Sequence, residues 1–138
     1  MQTVLELMKR AGGWRPSLYL KVDNAPYMEL VIEAMGELGP CGLPSMSLAH
    51  YGELNGDLMR DPEMCFELSL AGRAHLSAFY FRNDYLGVEQ WSRFIRDGKH
   101  VIHVQLHREH EDFAVLWDRS LAVQGFVNAF DPARHVRG

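Results

Sequence analysis

His50, Glu53, Asp57 and Asp61 fall within twelve residues, flanking the dipeptide Asn55-Gly56. An Asn-Gly pair between two alternating runs is the strongest short-range mark of a two-residue hairpin turn. Such a turn pairs 54 with 57, 52 with 59 and 50 with 61, and sets His50 across from Asp61. A carboxylate in that position fixes the imidazole tautomer and raises its basicity. With Glu53 and Asp57 beside it, the pair would serve as a general base or part of a metal site, the chemistry of a metal-assisted hydrolase or nuclease. The plainer reading is a half-buried strand histidine on the face of Met46 and Leu48, satisfied by its neighbour as buried polar groups must be. Pro62 counts against the catalytic register. It has no N–H to give to a ladder, and a bulge there moves Asp61 off His50.

Other residue sets offer weaker chemistry. Glu53, Asn55 and Asp57 alternate as calcium ligands do, but the glycine follows Asn55 directly and no twelve-residue ligand series continues. Four of the seven histidines lie in 100–110. Of these, His107 and His110 would share a helix face, with His103 one turn earlier if the helix starts early; zinc sites use such spacings but add a third protein ligand and a fixed geometry. The string His107-Arg108-Glu109-His110 is one residue short of the zinc-protease motif, and a solvated helix start explains it better. Phe79, Tyr80, Phe81, Tyr85 and Trp91, interleaved with Arg82 and Arg93, would stack single-stranded bases if they lined an open sheet. At this spacing aromatics more often fill a core. Cys41 and Cys65 have neither metal nor redox spacing and read as reduced thiols. No nucleophile elbow, phosphate loop or dinucleotide fingerprint is present, so no cofactor is expected.

The elements that must position these residues follow from periodicity. Residues 3–11 read as a short helix stopped by Gly12-Gly13 and expected to pack at an edge. Residues 18–22 read as a strand. Residues 27–35 fit strand or helix, and the Gly/Pro-rich turn 36–44 behind them favours strand. Residues 45–51 and 63–69 alternate cleanly on either side of the Asn-Gly turn, 76–82 form an aromatic-rich strand, and 85–91 form one more. Residues 107–124 are the clearest helix, with His110, Phe113, Trp117 and Leu121 at helical spacing and Glu109, Glu111 and Asp112 in its first turns. Gly125 reads as its left-handed stop. The expectation is an α+β domain: an antiparallel meander of four to five strands covered by a C-terminal helix, with a short N-terminal helix. Long crossovers of the parallel kind are absent.

The bulk numbers suit one domain of 138 residues, with 47% hydrophobic and 23% charged residues. Residues 1–16 make the N-terminal helix and connector, 17–130 the core, and 131–138 a frayed tail. The net charge of −4 is unevenly spread: residues 29–67 hold eight acids and one base, Arg60. No clustered Lys/Arg face supports nucleic-acid binding. No run approaches the ~20 apolar residues of a membrane span, and no apolar leader is present, so a cytoplasmic protein is expected.

The run Ala49-His50-Tyr51-Gly52-Glu53, Asn55-Gly56-Asp57-Leu58-Met59 and Asp61-Pro62-Glu63-Met64 resembles the signature of an uncharacterised bacterial family. That family is a domain of unknown function seen in plasmid, integrative-element and phage gene sets. Tyr27-Met28, Phe66-Glu67, Asn83-Asp84-Tyr85 and Gln124-Gly125-Phe126 fit it too, over roughly residues 18–127. The resemblance implies a mobile-element setting and no particular activity. The functional expectation is a non-enzymatic accessory protein that binds a protein partner through the acidic hairpin. Tyr51, Glu53, Asn55, Asp57, Arg60, Asp61 and Glu63 would form the contact. Exposed strand edges also make a homodimer an available assembly.

Overall fold

Alternating side chains along residues 19–91 build one antiparallel meander. The computed structural model describes residues 1–138. Helix α1 (Gln2–Arg10) leads into β1 (Tyr19–Asn24), β2 (Tyr27–Leu38), β3 (Pro44–Leu54), β4 (Asp57–Ser69), β5 (His75–Asn83) and β6 (Val88–Trp91). These strands lie in sequence order in a single six-stranded sheet. Strands β7 (Arg93–Arg96) and β8 (Lys99–Ile102) form a separate hairpin, and α2 (Val104–Val123), α3 (Phe126–Ala129) and α4 (Pro132–His135) close the chain. The α+β class holds. The strand count exceeds the four to five expected, and β6 starts at Val88 because Asp84–Gly87 is a turn.

One face of the sheet carries the core. Leu20, Val22, Leu30, Ile32, Met46, Leu48, Met64, Phe66, Leu76 and Ala78 meet Val4, Leu7, Met8, Ala114, Trp117, Leu121 and Phe126 from the helices. Helix α1 therefore belongs to the main core rather than to an edge. Its N-terminus has no cap of its own, and Asp118 of α2 accepts from the Thr3 N–H at 2.8 Å instead.

Helix α2 begins earlier than its apolar spacing indicates, because His103 is its cap: His103 Nδ1 accepts from the Leu106 N–H at 3.2 Å. The acids at 109, 111 and 112 thus lie past the first turn, which holds none. Gly125 ends the helix with φ of 79°, and Phe126 behind it is fully buried.

The tail expected to fray is tied down. Val136 bridges to Leu20 and the Arg137 N–H donates to the Tyr19 carbonyl at 2.8 Å. His135 is buried, with Nδ1 accepting from the Asp131 N–H at 2.9 Å and Nε2–H donating to Asp23 at 2.6 Å. No helix is long and apolar enough to cross a membrane.

Candidate functional site

Strand pairing places two rows of side chains across the face that the helices leave open. One row runs Tyr19, Glu33, Ser47, Cys65, Tyr80, Trp91 from β1 to β6; the other runs Lys21, Val31, Ala49, Glu63, Arg82, Glu89. Ser47 and Cys65 fill the middle of the first row, Val31 and Ala49 lie beside the charged Glu63 in the second, and aromatic and charged residues lie toward the flanks. Ala49, Cys65, Ser47 and Val31 are buried in this centre. Burial pushes the Cys65 thiol up, so it stays protonated and is a poor nucleophile.

The charges on this face mostly neutralise one another. Glu63 accepts from Ser47 Oγ at 2.6 Å and pairs with Arg60 at 3.3 Å. Asp84 accepts the Arg60 backbone N–H at 2.8 Å and Arg82 Nε at 2.6 Å, and these contacts, the backbone one first, hold its carboxyl below the usual range. Tyr80 donates to Glu89 at 2.5 Å. At the β1 side, Tyr19, Lys21, Glu29, Val31, Glu33, Tyr51 and Leu58 line a cleft of about 190 Å³ at the root of the β3–β4 hairpin. Its cation, Lys21, sits 3.8 Å from Glu29, and Glu33 has no ion-pair partner. Burial, with Glu63 nearby, raises the Tyr51 hydroxyl above its ordinary range.

The hairpin itself turns at Asn55 and Gly56, both with positive φ, and pairs 54 with 57, 53 with 58, 52 with 59 and 51 with 60. The register then breaks. Tyr51 pairs with Arg60 but Ala49 pairs with Glu63, so His50 faces a bulge formed by Asp61 and Pro62. The expected His50–Asp61 pair is not made. His50 points into the core between Trp117 and Phe126, at ring distances of 5.4 and 5.9 Å, and Nδ1–H donates to the Glu29 carbonyl at 3.0 Å. Burial lowers its pKa, outweighing the carbonyl contact and the more distant Asp61 charge. Asp61 accepts from Asn83 Nδ2 at 3.0 Å. Glu53 pairs across from Leu58, and Asp57 stands exposed beside the turn. The four do not converge, and no three His, Cys, Asp or Glu side chains lie close enough to hold a metal.

The histidines near 100–110 also separate. His103 caps α2. His107 lies 3.6 Å from Glu111. His110 is buried, donating from Nε2 to Gln90 at 3.0 Å and accepting at Nδ1 from Ser92 at 2.8 Å. The aromatic set divides between surfaces. Phe81 stacks on His110 and meets Phe113 edge-on in the core, whereas Tyr80 and Trp91 touch edge-on on the open face. Phe79 lies under Arg93, whose guanidinium is 5.9 Å from its ring centre.

A buried ion pair at the lower end of the same face was not read from sequence. Arg93 donates to Glu67 at 2.6 Å, and the two side chains are 5% and 1% exposed. Arg93 also donates to the carbonyls of Ser77 and Ala78 at 3.1 Å each, while Glu67 accepts the backbone N–H groups of Cys41 and Leu43. Every charge is answered, so the pair ties the β2–β3 loop and β7 to the sheet. One signal for this part was available: Asp97-Gly98 marks the β7–β8 turn with the same chemistry as Asn55-Gly56, and both residues have positive φ.

A protein family described as a domain of unknown function, DUF6908, matches residues 2–127. The chain belongs to that family. The DUF6908 match starts at residue 2, ahead of the span 18–127 over which the sequence resembles an uncharacterised family, so α1 is part of the family's domain. No curated protein and no solved structure matches the chain.

Proposed function

We propose that this DUF6908 domain is a non-enzymatic binding protein whose β3–β4 hairpin and adjoining cleft receive a basic segment of a protein partner. The observation that carries the reading is three acids without internal partners, one in an aromatic cleft and two on the hairpin rooted beside it. Glu33 borders Tyr19 and Tyr51 in the cleft, Glu53 and Asp57 stand on the hairpin, and none of the three makes an ion pair within the chain. Leu54 and Leu58 at the hairpin end are 47% and 67% exposed, which supplies apolar area beside the acids. Opposite charge steers encounter and fixes register, while apolar and aromatic contacts hold the complex.

His50, Glu53, Asp57 and Asp61 face different surroundings, which favours binding over catalysis. Tyr51, Arg60 and Glu63 form the root of the surface; Asn55 shapes its turn. The proposal includes an accessory role in a mobile genetic element, which rests on the resemblance carried by Ala49–Met64, and action in the cytoplasm.

The test is capture from cells of the native host, comparing the wild type with Glu29→Lys/Glu33→Lys and with Leu58→Glu. The expected result is one or more proteins with a basic contact segment that the wild type retains and both variants lose. The same proteins retained by all three would overturn the proposal.

A further inference from the structure

We infer that β6 is a pairing edge for a second copy of this chain, with Gln90 on the two-fold axis. A meander leaves two outer edges, and an uncovered edge is a template for another strand. The β1 edge is taken: Val136 bridges to Leu20 and Arg137 bonds to the Tyr19 carbonyl. The part of β5 that β6 does not reach is also taken. Arg93 occupies the Ser77 and Ala78 carbonyls, and Glu111 accepts the Ala78 N–H at 2.9 Å. The β6 edge has no such cover and lacks lysine, proline and a bulge; its short length and Glu89 are the edge protections it does have.

The free groups can be named. The Ser92 N–H donates to the Phe79 carbonyl at 2.9 Å, as the ladder of β5 and β6 continues. Antiparallel bonding alternates, so 88, 90 and 92 face β5, and the N–H and C=O groups of Glu89 and Trp91 face outward. Only one self-pairing uses all four of these groups. It sets Glu89 across from Trp91, Trp91 across from Glu89, and Gln90 across from Gln90. Shifting the register by two puts Glu89 opposite Glu89, a like-charge pair, or sets Glu89 opposite Arg93, which lies beyond β6 in the β7–β8 hairpin. An antiparallel self-pairing is two-fold symmetric and therefore closes as a dimer.

A four-residue strand is too short to hold a stable dimer alone, since stable interfaces bury about 800 Å² per partner. Beside the edge, Glu89, Gln90, Trp91, Phe94 and Leu106 line a depression of about 540 Å³. Trp91 is 50% exposed there. The second copy brings its own Trp91 to this surface, and the pairing extends the open face into a twelve-stranded sheet.

Sedimentation of the full chain reads the assembly, and cysteine cross-linking reads the register. The wild type should sediment at twice the chain mass. Glu89→Pro removes an outward N–H together with the carboxylate that accepts from Tyr80, and Glu89→Ala removes the carboxylate alone. Both should keep the fold by circular dichroism, with Glu89→Pro and Trp91→Lys converting the protein to monomer and Glu89→Ala leaving the dimer. In a Cys41→Ser background, oxidised glutathione should link Gln90→Cys to itself across the axis. Glu89→Cys and Trp91→Cys should link when mixed and not when alone. A wild type monomeric at every concentration overturns the inference, as does a dimer that survives both edge variants or in which Gln90→Cys does not cross-link.

Discussion

His110 is held neutral by its surroundings. Burial, followed by the nearby His107, lowers its pKa from the usual 6.5 to about 4, against a smaller pull from Glu109. The unfolded chain takes up this proton near pH 6.5 and the folded chain resists it until about 4. The stabilisation is therefore present above 6.5 and lost as pH falls to 4, by roughly 2–3 kcal/mol. His50, also lowered by burial, acts in the same direction. Urea unfolding at pH 7 and pH 4.5 should show this loss in the wild type and a smaller loss in His110→Gln. Equal losses would contradict the assignment. The Glu67–Arg93 pair makes a second prediction. Arg93→Met leaves a buried carboxylate unpaired and should cost about 3–5 kcal/mol, whereas Glu67→Gln/Arg93→Met should recover part of that cost. Additive losses in that cycle would mean the two side chains act separately.

At the scale of elements, the hairpin was legible because its turn is local chemistry. Gly56 has φ of 84°, where a Cβ is strained although no neighbour blocks it, so Gly56→Ala should cost about 1 kcal/mol by thermal unfolding. Gly39 differs: a Cβ there would overlap the Glu67 side chain, so Gly39→Ala should disturb the buried ion pair despite an ordinary backbone. Strand alternation likewise marked β3, β4 and β5, since a sheet with one face in the core sorts its residues two by two. What failed was non-local. Pro62 warned of a bulge but could not say that pairing resumes at Ala49 and Glu63, which removes His50 from Asp61. The start of α2 was hidden because a histidine rather than Ser, Thr, Asp or Asn caps it. The partners Glu67 and Arg93, 26 residues apart, carry no spacing signal at all. The outer-face rows could be recovered only once the register of all six strands was known, so the cleft lining residues Tyr19, Lys21 and Glu33 were missed.

For the molecule as a whole, the helices seal one sheet face, the C-terminal tail seals one edge, and the open face and β6 edge remain. Truncation after Phe130 removes His135 and exposes the β1 edge; it should cost about 1–3 kcal/mol in urea unfolding, the range for losing buried polar partners. No change would mean the tail is merely laid on the surface. The central claim is that the acids around the hairpin cleft recruit a basic protein segment. Its most direct test is quantitative capture from the native host with the wild type and Glu29→Lys/Glu33→Lys, both shown to be folded. A partner should be retained by the wild type in an amount that falls with added salt, and should be lost in the charge-reversed variant. An identical set of retained proteins for both chains would contradict it.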